Sequence, residues 1–144
     1  MKFSDFDGKS WDELKPYIDT VLIPLSGLNG HESPWEATEA LERLRDALDP
    51  IESAFKGRIV TYPAIHYSEN PEGLARLVDE LCRRLRGQGF VYCVAVGAAP
   101  LQIELQGASL LLTPMNPEEA PADGCYRDRV KREIEALWYG GDGS

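Results

Sequence analysis

Two histidines are the residues of this chain best suited to acid–base or metal chemistry. His31 and His66 are the only histidines in the 144-residue sequence, and imidazole can serve as general acid, general base or metal ligand near neutral pH. Both lie in polar stretches that follow apolar runs. Other polar side chains that could share a pocket with them are Asn29, Glu32, Tyr67 and Glu69, with Asn116 and Glu118 further along the chain. One interpretation is a polar pocket with up to two imidazoles; the other, which we favour, is two surface histidines that never meet.

Most signatures of specific chemistry are absent from the sequence. No H-x-x-x-H, H-x-H or H-E-x-x-H spacing occurs, so nothing predicts a metal site. Ser26-Gly27 lacks the preceding glycine of a nucleophile elbow. Gly87-Gln88-Gly89 precedes an apolar run rather than following one, which is the wrong end for a dinucleotide fingerprint. We therefore predict no catalytic residue, no metal ligand and no cofactor.

The elements that must position the histidines are organised around residues 89–97. This almost unbroken apolar run, rich in β-branched and aromatic residues, is typical of a strand buried on both faces of a parallel sheet. Similar runs predict strands at 20–25, 58–63 and 109–113. Amphipathic patterns predict helices at 33–55, with a kink or restart at Asp49-Pro50, and at 70–86 and 123–139.

This alternation predicts an α/β three-layer sandwich, with a mainly parallel sheet of four to five strands covered by helices on both faces, Rossmann-like in type. We expect a single domain over 1–139 and a flexible tail over 140–144. In such sheets ligands bind beyond the carboxyl ends of the strands. If the first two strands are parallel, the loops that carry His31 and His66 open on the same edge.

The segment 98–108 is the least clear. Residues 101–105 alternate strictly between apolar and polar, which favours an extended, half-exposed edge element. An unpaired alternating edge can also add a strand from another chain, so a homo-oligomer built through Gln102 to Leu105 is possible.

The composition bounds the partners and the compartment. The 24 acidic and 15 basic residues give a net charge of −9, which disfavours nucleic acid and anionic membranes as partners. No run has the length of a signal peptide or a membrane span. The three cysteines have no C-x-x-C pairing, and Cys82 and Cys93 fall in apolar surroundings. We therefore expect a reduced, cytoplasmic location.

Three stretches together resemble the YpiF-like family of uncharacterised bacterial proteins. They are residues 17–25, residues 55–63 and the C-terminal helix that ends at Trp138. The resemblance covers most of the chain and implies a small cytoplasmic protein of unknown role.

A more distant resemblance is to creatininase-type amidohydrolases. Residues 24–31 are similar to that family's first-strand motif: His31 matches a metal-binding histidine, but Asn29 stands where the family has a glutamate. Residues 63–68 are similar to a second loop of the family. After the central strand, Gly97-Ala98-Ala99-Pro100 replaces Asn-Gly-His-Gly-Gly-Asn. The resemblance implies a creatininase-like sandwich whose metal site has been dismantled.

Two functions follow from these observations. The first is a non-enzymatic domain of unknown role that binds a protein partner or a small ligand at the carboxyl edge of the sheet. The second is a creatininase-like amidohydrolase, or another small-molecule hydrolase, that uses His31 and His66 with Glu32 or Glu69, with or without a metal.

Overall fold

The computed structural model describes residues 1–68, 70–115, 119 and 124–140. Four strands form one sheet in the order β2-β1-β3-β4, and every pair is parallel. The strands are β1 (Thr20–Leu25), β2 (Ile59–Thr61), β3 (Tyr92–Gly97) and β4 (Leu110–Leu112). The helices are α1 (Gly8–Leu14), α2 (Pro34–Ala54), α3 (Pro71–Gly87) and α4 (Gly124–Glu135), which continues as a π-helical turn (Ala136–Gly140). The predicted α/β three-layer sandwich is confirmed.

The two central strands explain the long apolar runs in the sequence. β1 and β3 pair from Thr20↔Tyr92 to Leu25↔Gly97, and all six residues of β1 are buried. Because helices cover both faces, neither face of these strands needs polar residues. The Val21↔Val60 pairing of β1 with β2 is also parallel, so the loops after these two strands leave the sheet at one edge, as predicted.

Helices cover the sheet in two layers. On one face α2 and α4 bury a core that includes Leu22, Val94 and Tyr126. On the other face α1 and α3 bury a core that includes Val78 and Cys82. Among the described residues, none of the helices is both long and apolar enough to cross a membrane.

Helix α2 continues through Pro50, so it does not restart there, which was one of the two predicted alternatives. The helix begins at a capping box in which Ser33 and Glu36 satisfy each other's backbone N–H groups. It then runs without a break through Pro50 to Ala54, although proline removes one helical hydrogen bond. Pro50 and the neighbouring Ala47 and Ile51 are all buried, so tertiary packing offsets the lost bond and holds the helix together.

The connection between β3 and β4 forms no strand of the sheet. Leu101, Ile103 and Leu105 pack against the core on the α1/α3 face, so the predicted alternation is real. The segment is anchored at its end by α3, where the Asp79 carboxylate accepts hydrogen bonds from the backbone N–H groups of residues 106 and 107. A helix side chain thus anchors this segment.

Gly107 should be sensitive to substitution because it lies against the backbone of α3. A Cβ at this position would come within 3.0 Å of the Asp79 carbonyl oxygen and 3.1 Å of its Cα. We expect Gly107→Ala to lower the free energy of unfolding by about 1–3 kcal/mol, measured by urea denaturation. Gly87→Ala is the control, because nothing lies within 4 Å of its Cβ and alanine favours a helix. Equal effects of the two variants would contradict this packing.

Tyr126 should make stability depend on pH in the alkaline range. Burial raises the pKa of its phenol above the ordinary value, so above pH ~10 the unfolded chain releases this proton while the folded chain keeps it. The free energy of unfolding should therefore fall as pH rises past ~10, by up to ~1.4 kcal/mol per pH unit from this group. Tyr126→Phe should show a shallower decline between pH 9 and 11 in urea denaturation. An unchanged slope would contradict the burial of an ionisable phenol there.

Candidate functional site

The loops after β1 and β2 are joined at the carboxyl edge of the sheet. Ser26 N–H donates to the Ile65 carbonyl at 3.1 Å, and Ile65 N–H donates to the Pro24 carbonyl at 2.8 Å. Further out, Ser68 N–H donates to the Leu28 carbonyl at 3.2 Å. These bonds extend the β1–β2 pairing beyond the strands and fix the two histidine-bearing loops relative to each other.

His66 is paired with a serine that the sequence did not single out. Its Nδ1 lies 2.8 Å from Ser26 Oγ. The Ser26 hydroxyl donates to the Ile65 carbonyl at 3.3 Å and accepts a bond from Leu28 N–H at 3.4 Å. Either group can donate in the Ser26–His66 bond, because the direction is set by the tautomer of the His66 ring. The pair is first of all a bridge between the two loops.

His31 lies in a self-contained turn that Asn29 and Glu32 stabilise. The Asn29 Oδ1 accepts a bond from His31 N–H at 2.9 Å. The Glu32 carboxylate accepts bonds from Asn29 N–H and Gly30 N–H, both at 3.0 Å. The bond from Asn29 is the main reason that the pKa of Glu32 is lowered. Asn29 and Glu32 therefore shape the loop, while His31 itself is exposed.

Of the other predicted site residues, Tyr67 is described and three are not. Tyr67 has a backbone φ of +53°, a conformation uncommon for a residue other than glycine and costing about 1–3 kcal/mol. Its ring centroid is 6.1 Å from that of His66. Glu69, Asn116 and Glu118 lie outside the described residues. Within the described part of the chain, no hydrogen bond or ring contact joins His31 to His66.

A small crevice lies beside the Ser26–His66 pair, between the carboxyl ends of β1 and β3. Strand β2, which follows β1 in the sequence, pairs on one side of β1, and the next strand, β3, pairs on its other side. This is the topological switch point, where doubly wound sheets bind ligands. The crevice has a volume of about 70 Å³. Its walls are residues 25–27 after β1, residues 97–99 after β3, and Ala40, Arg43 and Leu101.

Arg43 was missed because it is one of several arginines in the sequence. It lies one turn after Ala40 on α2, so both face the same side of the helix, and in the structure both line the crevice. Its guanidinium approaches Glu39 at 3.4 Å, and both side chains are mostly exposed. The i, i+3 spacing of Ala40 and Arg43 indicates that they share one face of α2. Nothing in the sequence shows that this face lies at the carboxyl edge of the sheet.

Larger grooves lie elsewhere on the described surface. One of about 400 Å³ runs past Trp11, Lys15 and Phe90, near the amino ends of β1 and β3. It contains neither histidine. Its carboxylate, Asp19, is already bound by Arg58 at 2.9 and 3.0 Å. Size favours this groove, whereas the position at the switch point of the sheet favours the crevice.

In the described residues, no group of three or more histidine, cysteine, aspartate or glutamate side chains could hold a metal ion.

The fold and crevice together define a doubly wound α/β domain with a pocket at its switch point. Residues 9–119 match a family model described as "Protein of unknown function (DUF2487)", and the chain belongs to this family. No curated protein and no solved structure matches the chain. The matched region contains all four strands and every residue of the crevice, and it ends before α4.

Replacing the two histidines singly should separate their roles. We expect His66→Ala to lower the free energy of unfolding by about 1 kcal/mol, because it removes the shortest of the three hydrogen bonds at the buried Ser26 hydroxyl, one of those that join the two loops. His31→Ala should change it by less than about 0.5 kcal/mol, since the ring is exposed. Urea denaturation of both variants measures the difference. A larger effect of His31→Ala would contradict the bridge described here.

Proposed function

We propose that this chain is a non-enzymatic α/β domain that binds a small ligand at the carboxyl edge of its sheet. The observation that carries the proposal is the crevice of about 70 Å³ at the β1/β3 switch point. Its walls come from the last residues of β1 and β3, the loops that follow these strands, and one face of α2. Small ligands bind at this position in doubly wound sheets.

The surroundings of the crevice support binding more than catalysis. Gly27 lines the crevice, and its N–H has no hydrogen-bond partner among the described residues, so a ligand can use it. Gly97, Ala98 and Ala99 leave the opposite wall without reactive groups. The proposed location is the cytoplasm, because Cys82 and Cys93 are free and buried and a reducing compartment keeps thiols in this state.

A variant that fills the crevice tests this function. Ligand-observed NMR with a mixture of small polar metabolites should detect binders to the natural chain. Ala40→Leu adds bulk to the crevice wall while keeping a good helix former, and it should abolish their binding. Ala54→Leu is the matched control, because Ala54 is exposed at the other end of α2. Binding that persists in Ala40→Leu, or no binder at all to the natural chain, would overturn the proposal.

The second candidate is a hydrolase, which the 2.8 Å Ser26–His66 contact favours. A serine paired with an imidazole is the core of many acyl-transfer sites. The sequence pattern points to His31 and His66 for this chemistry, whereas the geometry favours Ser26 and His66. However, no described group accepts or donates a bond at His66 Nε2, and the second imidazole is not in contact with the first.

Reactivity separates the two candidates. If the chain is a hydrolase, a fluorophosphonate should label Ser26. The chain should also hydrolyse p-nitrophenyl acetate, and His66→Ala should abolish that activity. We expect neither labelling nor His66-dependent hydrolysis. Stoichiometric labelling of Ser26 would replace the binding proposal with the enzymatic one. The resemblance to creatininase-type amidohydrolases adds no support to either candidate, because His31 is exposed and Asn29 is used in its own turn.

A further inference from the structure

We infer that the ligand of the crevice is a small carboxylate with a short hydrocarbon chain. This inference rests on the proposed function and names its ligand class. Arg43 is the single charged residue that lines the crevice in the described part of the chain. On a protein with a net charge of −9, a guanidinium at the crevice is the group that can pair with an anionic ligand there.

The guanidinium of Arg43 is available to a ligand. Its intrahelical partner Glu39 lies 3.4 Å away, and the two side chains are 61% and 51% exposed. Exposed ion pairs of this kind contribute little to stability, so a ligand anion can compete with Glu39. The planar fork of arginine binds a carboxylate through two parallel hydrogen bonds.

The rest of the crevice fits hydrocarbon. Leu25, Ala40 and Leu101 form apolar walls behind the arginine. The volume of about 70 Å³ is roughly twice the space that one water takes in the liquid, so it holds about two or three heavy atoms. The ligand would place this short apolar end against the walls and its carboxylate at Arg43.

A phosphate group fits the site less well. Phosphate sites in α/β folds use several free N–H groups at a helix N-terminus. At the start of α2, Pro34 has no N–H, Glu36 N–H donates to Ser33 Oγ, and Ala37 N–H donates to the Ser33 carbonyl. At the start of α3 the Asn70 side chain accepts the bond from Gly73 N–H at 2.6 Å. The lone guanidinium beside apolar walls favours a carboxylate over a phosphate.

Propionate and its neutral analogue propionamide test the inference. Each is titrated into the ¹⁵N-labelled natural chain, and the amide shifts of Gly27 and residues 97–99 are followed. We expect propionate to bind with a Kd on the order of 1 mM and propionamide at least roughly tenfold more weakly. Inorganic phosphate should not shift these amides.

Arg43→Gln should weaken propionate binding at least roughly tenfold. Arg45→Gln is the matched control, because it removes the same charge from an exposed position on α2 that does not line the crevice. Equal binding of the acid and the amide, or equal effects of the two variants, would overturn the carboxylate assignment while leaving the crevice as a binding site. No response to propionate would also overturn it. The Ala40→Leu experiment with the metabolite mixture would then decide separately whether the crevice binds another class.

Discussion

Tyr126→Ala should lower the free energy of unfolding by about 3–5 kcal/mol, a large part of the ~5–15 kcal/mol that stabilises a domain of this kind. Tyr126 is among the largest fully buried side chains, in the layer between α2, α4 and the sheet. Its hydroxyl donates to the Ala47 carbonyl at 2.9 Å. Removal leaves a cavity that close-packed neighbours fill only in part. Chemical denaturation measures the loss.

Two variants show whether burial is the cause. Tyr17→Ala removes the same side chain from a site that is 70% exposed and should change the free energy of unfolding by less than about 0.5 kcal/mol. Tyr126→Phe removes the hydrogen bond but keeps the ring, and should cost about 1 kcal/mol. A Tyr126→Ala variant that is no less stable than Tyr17→Ala would contradict the packing of α4 on α2.

Trp138→Ala should lower the free energy of unfolding by about 2–4 kcal/mol. Trp138 attaches the end of the chain to the amino edge of the sheet. Its indole Nε1 donates to Thr20 Oγ1 at 3.0 Å, and its ring meets Phe55 edge-to-face with centroids 4.8 Å apart. The Arg58 guanidinium lies 3.8 Å from the ring centroid and is itself held by Asp19.

Trp35→Ala provides the matched control for this attachment. Trp35 is 66% exposed near the start of α2, so its removal should change stability by less than about 0.5 kcal/mol. Thermal and urea denaturation of the two variants should therefore differ clearly. If both tryptophans proved equally dispensable, the π-helical turn would not be docked on the sheet as described.

The strands were predictable because burial on both faces leaves a strong signal in the sequence. The apolar run at 89–97 identified β3, although the strand begins only at Tyr92. The residues before it form a turn, in which Gly89 has a φ of +115°. The residue at which such a strand begins depends on the preceding turn, and the hydrophobic pattern of the sequence does not show where that turn ends. The sequence could not show that α2 does not restart at Pro50, for a related reason: the continuity of the helix there depends on tertiary packing.

The site was predictable only in its position. Parallel strands place the loops after β1 and β2 at one edge, and that expectation followed from the order of elements alone. The Ser26–His66 pair joins residues 40 positions apart. Arg43 lines the crevice only because its face of α2 lies against the edge of the sheet. Such long-range contacts leave no local pattern. The interpretation of His31 and His66 as a shared site stays a prediction.

The most direct measurement is to map where a bound ligand shifts the backbone amides of the ¹⁵N-labelled natural chain. We predict that any binder from the metabolite mixture shifts Gly27 and residues 97–99, and that the amides of Lys15 and Val91 at the opposite edge stay unchanged. Shifts confined to the groove beside Trp11, with the β1/β3 crevice unaffected, would contradict the account.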